Sequence, residues 1–147
     1  MISLDFSGVD LKLKKDEGIT RVFDPVRKKW FVLTPEEYVR QHILHYMIHT
    51  ALYPIAMLAV EKQLKINNRI KRFDIVVYNR QHLPWLLVEC KAPEVPVDEN
   101  TLYQLLSYNN AMQCSYWVLT NGHQTYCADA CNLNDIKWAA SLPAYQF

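Results

Sequence analysis

"RFDIVVYNRQHLPWLLVECKAPEV", residues 72–95, is the stretch on which the fold turns. Residues 73–78 and 85–88 are short apolar runs rich in β-branched and aromatic side chains, separated by the polar "NRQH". They read as two consecutive buried strands. The first nevertheless carries Asp74, and the second runs straight into Glu89-Cys90-Lys91. Alternation places Trp85, Leu87, Glu89 and Lys91 on one face of their strand, and Asp74, Val76 and Tyr78 on one face of the other. If the strands pair through the intervening loop, Asp74 and Glu89 approach each other. Two carboxylates brought together in poorly solvated surroundings repel, and an unpaired buried charge is costly.

A divalent cation compensates such a pair most simply. Magnesium takes hard oxygen ligands, typically one or two carboxylates completed by waters and a phosphate. Asp74 and Glu89 supply the carboxylates. Lys91, two residues past Glu89 on the same face, then lies beside a metal-bound water, where an ammonium can hold that water or stabilise negative charge on a phosphate. Metal, oriented water and cation together make a site for hydrolysing phosphodiesters. Glu-x-Lys alone is a common tripeptide and usually an exposed ion pair of little value. Here Asp74 precedes Glu89 by fourteen intervening residues (75–88), and each carboxylate borders an apolar run, which favours the metal site.

Working outward, Thr34-Pro35-Glu36-Glu37 is a helix start, with Thr34 as N-cap and Pro35 at the first helical position. The segment after it puts Val39, Ile43, Tyr46, Met47 and Thr50 on one stripe, which predicts an amphipathic helix. Upstream, "VFDPVRKKWFVLT" predicts a small hairpin around "DPVRKK". Downstream, "LAVEKQLKI" closes on Asn67-Asn68 and pairs with "RIKRFDIVVY". "DENTLYQLLSYNNAMQ" predicts a second helix capped near Asp98, with Leu102, Leu105, Leu106 and Met112 inward. "YWVLT" and "QTYCA" flank Asn121-Gly122-His123 as a hairpin. The order is helix, three strands, helix, then one or two strands: an α/β arrangement with a small sheet covered by helices.

The chain has 147 residues, half of them hydrophobic, which suits one compact domain. The sequence divides into an N-terminal hairpin extension (1–34), a catalytic core (35–128) and a C-terminal tail (129–147). With 16 Lys+Arg against 15 Asp+Glu the formal charge is +1, which excludes a histone-like polycation and leaves room for a local basic patch. Such residues gather at Arg27-Lys28-Lys29 and at Arg69, Lys71 and Arg72, next to Asp74; the latter group predicts phosphate contacts. The N-terminus lacks a signal-peptide pattern and no apolar run is long enough to span a bilayer, so a cytoplasmic protein without a membrane partner is expected. The four cysteines form no C-x-x-C pair and are expected to be reduced. His42, His45 and His49 share a helical stripe, read as solvated or DNA-facing. The four tryptophans, Trp30, Trp85, Trp117 and Trp138, are read as core.

The stretch at 72–95, together with "LTPEEYVRQ", "DIVVY" and "VECKAP" in this order and spacing, resembles the PD-(D/E)xK nuclease superfamily. Specifically, it resembles the N-terminal nuclease domain of type I restriction enzyme R subunits. The resemblance runs from about "FDPVRKKWFVLTPEEYVRQ" to "YWVLTNGHQTYC". It implies a restriction-endonuclease-like α-β-β-β-α-β core and a Mg²⁺-dependent nuclease, with Mn²⁺ able to substitute. It further implies metal ligation by Asp74, Glu89 and the backbone carbonyl of Cys90, with Lys91 assisting the attacking water. The family often adds a glutamate from the first helix; Glu37 is the candidate, and Glu36 fits nearly as well. Gln104 and Tyr108 match its Q-x-x-x-Y motif and would orient the lysine or touch the DNA backbone. Phe73 replaces the proline of the superfamily's name. No G-x-x-x-x-G-K-[ST] occurs, so ATP-driven translocation is not expected of this chain.

DNA is the expected partner. Cutting both strands would call for two sites and hence a homodimer, and a protein partner would supply targeting. The rival class is a nuclease-fold module that binds DNA or a protein without turnover. A third reading is a structural subunit whose acidic pair is satisfied by Arg72 and Lys91.

Overall fold

In the computed structural model, which describes residues 1–146, two helices and nine strands form two sheets. A small antiparallel sheet comes first, β1 (Leu13–Asp16), β2 (Ile19–Asp24) and β3 (Lys29–Val32), in the order β1-β2-β3. The sequence reading gives a two-stranded hairpin here, and β1 is the addition. All four of its residues are exposed, so it carries no apolar signature from which to recognise it.

Helix α1 (Pro35–His49) starts where the capping residues place it: the Thr34 hydroxyl accepts from the Glu37 N–H at 3.1 Å. A short 3₁₀ turn (Ile55–Met57) then leads into the main sheet. Its strands are β4 (Leu58–Ile66), β5 (Arg69–Tyr78), β6 (Pro84–Cys90), β7 (Tyr116–Thr120), β8 (Thr125–Asp129) and β9 (Lys137–Trp138), adjacent in that order. All neighbours are antiparallel except β6 and β7, which α2 (Glu99–Tyr108) joins by a crossover. Asn67, with φ 55°, turns β4 into β5, a conformation asparagine tolerates. Gly122, with φ 90°, serves the β7–β8 loop, where an added Cβ would lie 3.4 Å from Val39.

The main sheet is a layer between the helices. Ile43, Leu44 and Met47 of α1 pack on Ile75, Val77, Leu86 and Val88. Leu102 and Leu106 of α2 pack on Phe73, Val76, Leu87 and Trp117. Each fully buried aliphatic side chain contributes roughly 1.5–3 kcal/mol, so both helices are anchored by their apolar stripes. The helix α2 ends at Tyr108, placing Met112 beyond it. The sheet continues past residue 128 into β9, and Tyr145 packs in the α1-side layer while its hydroxyl donates to the Tyr78 carbonyl at 2.8 Å. Among the described residues no helix is long and apolar enough to cross a membrane.

Three sequence expectations need correction. His45 is buried, not solvated; α1 packs on both the main sheet and the small one, and two buried sides leave this histidine no water. Trp117 is core and Trp85 packs half-buried against the α1-side layer, but Trp30 is half-buried on the small sheet and belongs to neither core layer, and Trp138 is 38% exposed, because the two-residue β9 lies at the sheet edge. The third concerns strand alternation, and it bears on the site.

Candidate active site

Phe73 and Ile75, two residues apart, would share a face on a regular strand. Instead Phe73 packs beneath α2 and Ile75 beneath α1. Strand β4 does the same: Leu58 and Val60 face α1, while Leu64 and Ile66 face α2. Both strands turn over at one rung. The β4–β5 pairing runs through Val60↔Ile75, resumes at Lys62↔Phe73, and leaves out Glu61 and Asp74 between them. Glu61 there has φ 53°, a left-handed conformation rare for a non-glycine residue. The consequence corrects the alternation: Asp74 does not share a face with Val76 and Tyr78. Its carboxylate turns toward α1.

There it meets a buried cation. Arg40 donates to Asp74 Oδ1 from Nε at 3.1 Å and from Nη2 at 2.7 Å. The other oxygen, Oδ2, accepts the Cys90 N–H at 2.8 Å. That bond forms where β5 and β6 part, since their pairing ends at Ile75↔Val88. Continuing the register by one rung sets Asp74 across from Glu89.

Arg40 also donates to Glu37 Oε1 at 2.7 Å and lies 3.3 Å from Glu61 and 3.5 Å from Glu36. Burial works against its charge. The Asp74 hydrogen bond and the negative charges of Asp74 and Glu37 reverse that effect and raise its proton affinity above the ordinary arginine value. Behind Glu37 the network goes on. Arg27 Nη2 donates to both Glu37 oxygens at 2.9 and 3.0 Å, and Arg27 Nε donates to Asp24 at 2.7 Å. Fully buried Asp24 also accepts the N–H groups of Val26 and Arg27 and the amide of Gln41, so it builds the β2–β3 turn and fastens the small sheet to α1.

Glu37 is therefore a holder of Arg40 and Arg27, closed in by both guanidinia and 5% exposed. Its neighbour Glu36 is open, with a 51% exposed side chain, and its charge reaches Glu89 and Cys90.

The opposite side of the sheet is arranged differently. Glu89, Lys71, Lys91, Thr101, Gln104 and Tyr108 line one cleft beneath α2. Burial first, then the charge of Asp74, push the Glu89 carboxyl up to about 7, against the opposing effect of Lys71 and Lys91. Its nearest cation, Lys71 Nζ, is 3.8 Å away. Gln104 and Tyr108 share a face of α2 as their spacing requires. Tyr108 is 70% exposed, with the Arg69 guanidinium 4.4 Å from its ring centre and donating to its carbonyl at 3.1 Å. Arg72 is exposed, on the strand between Lys71 and Asp74.

Asp74 and Glu89 thus interact across the parting of β5 and β6 from opposite faces. Among the described residues neither Arg72 nor Lys91 makes an ion pair with these carboxylates, although the charge of Lys91 opposes the rise of Glu89. Arg40 holds Asp74, and Lys71 makes a loose pair with Glu89. Among the described residues no three His, Cys, Asp or Glu side chains cluster to hold a metal ion. Arg40, Asp24 and Glu61 were not singled out by their sequence, and Arg27, read as part of a basic patch, is turned inward onto Asp24 and Glu37. Arg40 had a signal: it stands between Val39 and Ile43 in the inward part of α1, where a charge demands a buried partner.

A family model described as Type I restriction enzyme R protein N terminus (HSDR_N) matches residues 35–143. No curated protein matches the chain.

Proposed function

The chain belongs to the family of type I restriction enzyme R protein N termini, and from that we propose that it hydrolyses DNA phosphodiester bonds with magnesium as cofactor. The observation that carries the reading is the convergence of Glu89, Lys91, Lys71 and Gln104 on one cleft, with Asp74 behind the parting strands.

Unused acceptor capacity on two carboxylates supports a hard cation here. Asp74 Oδ2 accepts only the Cys90 N–H, which leaves a lone pair, and Glu89 is a poorly compensated carboxylate. Asp74, Glu89 and the Cys90 carbonyl would hold Mg²⁺ or Mn²⁺, with waters completing the shell. The bound ion would supply Lewis-acid neutralisation of phosphate charge.

The remaining work falls to the protein's own groups. Lys91 holds the attacking water or a phosphate oxygen by its ammonium, and Lys71 offers a second cation in the same cleft. Gln104 orients Lys91. Arg69, Arg72 and Tyr108 bind the DNA backbone outside the cleft, a salt-sensitive and sequence-independent contact. Arg40, through its hydrogen bonds, fixes the direction of the Asp74 carboxylate. A cut in both strands would require two such clefts, hence two copies of the chain, and targeting would come from a protein partner.

The test is cleavage of plasmid and linear DNA with Mg²⁺ or Mn²⁺. Lys91→Ala should lose activity by about 10²-fold or more with an unchanged melting temperature; equal activity in variant and parent removes Lys91 from the reaction. The pairing of Asp74 with Arg40 favours a second reading, a binding module with a partly neutralised acidic pair. Calorimetric titration with Mn²⁺ separates the two. Uptake lost in Asp74→Asn and Glu89→Gln belongs to the nuclease, and DNA binding without metal uptake belongs to the module.

A further inference from the structure

The small sheet has two unlike faces. Val22 and Asp24 turn toward α1 and are fully buried. On the other face Ile19 and Val32 are exposed, and Arg21, Phe23 and Trp30 are half-buried. On it Phe23 and Trp30 stand opposite each other on β2 and β3, their rings edge to face at 5.4 Å. Lys12 Nζ lies 5.0 Å from the Phe23 ring and 5.6 Å from that of Trp30, and Lys14 Nζ lies 4.3 Å from Trp30. Arg21 is the cross-strand partner of Lys14, and its buried Nε has no hydrogen-bond acceptor. Ile19 and Val32 extend the platform, 43% and 44% exposed.

Charge is concentrated here. Residues 11–32 hold seven Lys and Arg (12, 14, 15, 21, 27, 28, 29) against three Asp and Glu (16, 17, 24), in a chain whose total is +1. Arg27 is engaged by Asp24, Glu37 and Glu61, so the excess lies on the lysines and Arg21.

We propose that this outer face binds single-stranded nucleic acid, with phosphates on Lys12, Lys14 and Arg21 and bases stacked on Trp30 and Phe23. Aromatic rings framed by cations on an open antiparallel sheet suit a strand whose bases are unpaired and whose backbone is anionic. A base arriving on Trp30 displaces the Lys14 ammonium from the ring toward a phosphate. A second copy of the chain is a poor occupant, because two-fold packing would set Lys12 and Lys14 against their own counterparts. An acidic peptide would satisfy the lysines but leave the ring pair unused.

The face lies outside the family-matched residues 35–143. The β2–β3 turn joins it, through Arg27, to Glu37 and Arg40 beside the candidate active site. It shares a nucleic-acid partner with the nuclease reading but needs no metal.

The experiment is fluorescence anisotropy of a labelled single-stranded oligonucleotide of about 20 nucleotides with the full chain in EDTA, over a range of salt. The doubly reversed variant Lys12→Glu, Lys14→Glu should bind about tenfold or more weakly and show a shallower salt dependence. Trp30→Leu should bind about fivefold more weakly at an unchanged salt slope. Unaltered binding in the lysine variant, whose exposed positions leave folding intact by circular dichroism, overturns the proposal. So does a duplex bound as tightly as the single strand with Trp30→Leu silent, or displacement by polyglutamate at equal charge. Binding that depends on Lys14 in a protein that cuts nothing would uphold this inference while the nuclease reading falls.

Discussion

The two sides of the main sheet treat charge in opposite ways. On the α1 side Asp24, Arg27, Glu37, Arg40 and Asp74 form a continuous chain of short hydrogen bonds, nearly all out of water. On the α2 side Glu89, Lys71 and Lys91 share a cleft with one loose pair among them. The first arrangement spends its charges on each other and is structural. The second leaves groups with unmet electrostatic demand facing an opening, which is what a reacting site requires. Asp74 belongs to both, with one oxygen in the network and the other at the parting of the strands.

The sharpest way to break this contrast is Arg40→Gln. Removing a buried cation leaves Asp74 without its ion-pair partner and Glu37 with Arg27 alone, and the variant should lose about 3–5 kcal/mol in denaturant unfolding. A loss below about 1 kcal/mol would mean that water already relieves the network. Asp24→Ala comes next, at roughly 2–3 kcal/mol, because it leaves two backbone N–H groups and the Arg27 Nε without their acceptor. The same measurement on Lys91→Ala should move stability by less than about 0.5 kcal/mol, since the residue is exposed. A large loss there would make the cleft structural too.

The smallest effect is a pH slope. His45 is held below its ordinary value by burial first and then by His49 and His42, against the carboxylates of Asp24 and Asp10. The unfolded chain therefore takes up this proton first, and acidification through about pH 6.5 favours unfolding. Because the raised Glu89 carboxyl contributes the opposite slope below about pH 7, the effect is read as the difference between parent and His45→Leu, which should grow in the variant's favour as the pH falls below about 6.5. An identical slope in the variant would assign the acid sensitivity elsewhere.

Much of this was legible in the letters. Thr34-Pro35 and Asp98 mark their helix starts because capping is local, and Asn67-Asn68 and Asn121-Gly122 mark turns for the same reason. The strands around Asp74 and Glu89 were legible from their apolar runs. The direction of Asp74 was not, because a reversal at Glu61 lies on a neighbouring strand and alternation assumes regular backbone. The Asp24–Arg27–Glu37–Arg40 chain was hidden for a related reason. Its members come from a turn and a helix that only tertiary packing brings together, and each alone resembles a surface charge. Glu37, named for the site, proves to face the inner network, while Glu36 beside it faces outward.

The cysteines offer a way to watch the two layers separately. Cys131 is exposed, whereas Cys90, Cys114 and Cys127 are buried, and burial pushes the Cys114 and Cys127 thiols up to about 12. Cys90 and Cys127 belong to the α1 layer and Cys114 to the α2 layer. An alkylating reagent should therefore mark one sulfur on the native chain. The sequence in which the other three become modified during slow opening would record which helix lifts from the sheet first.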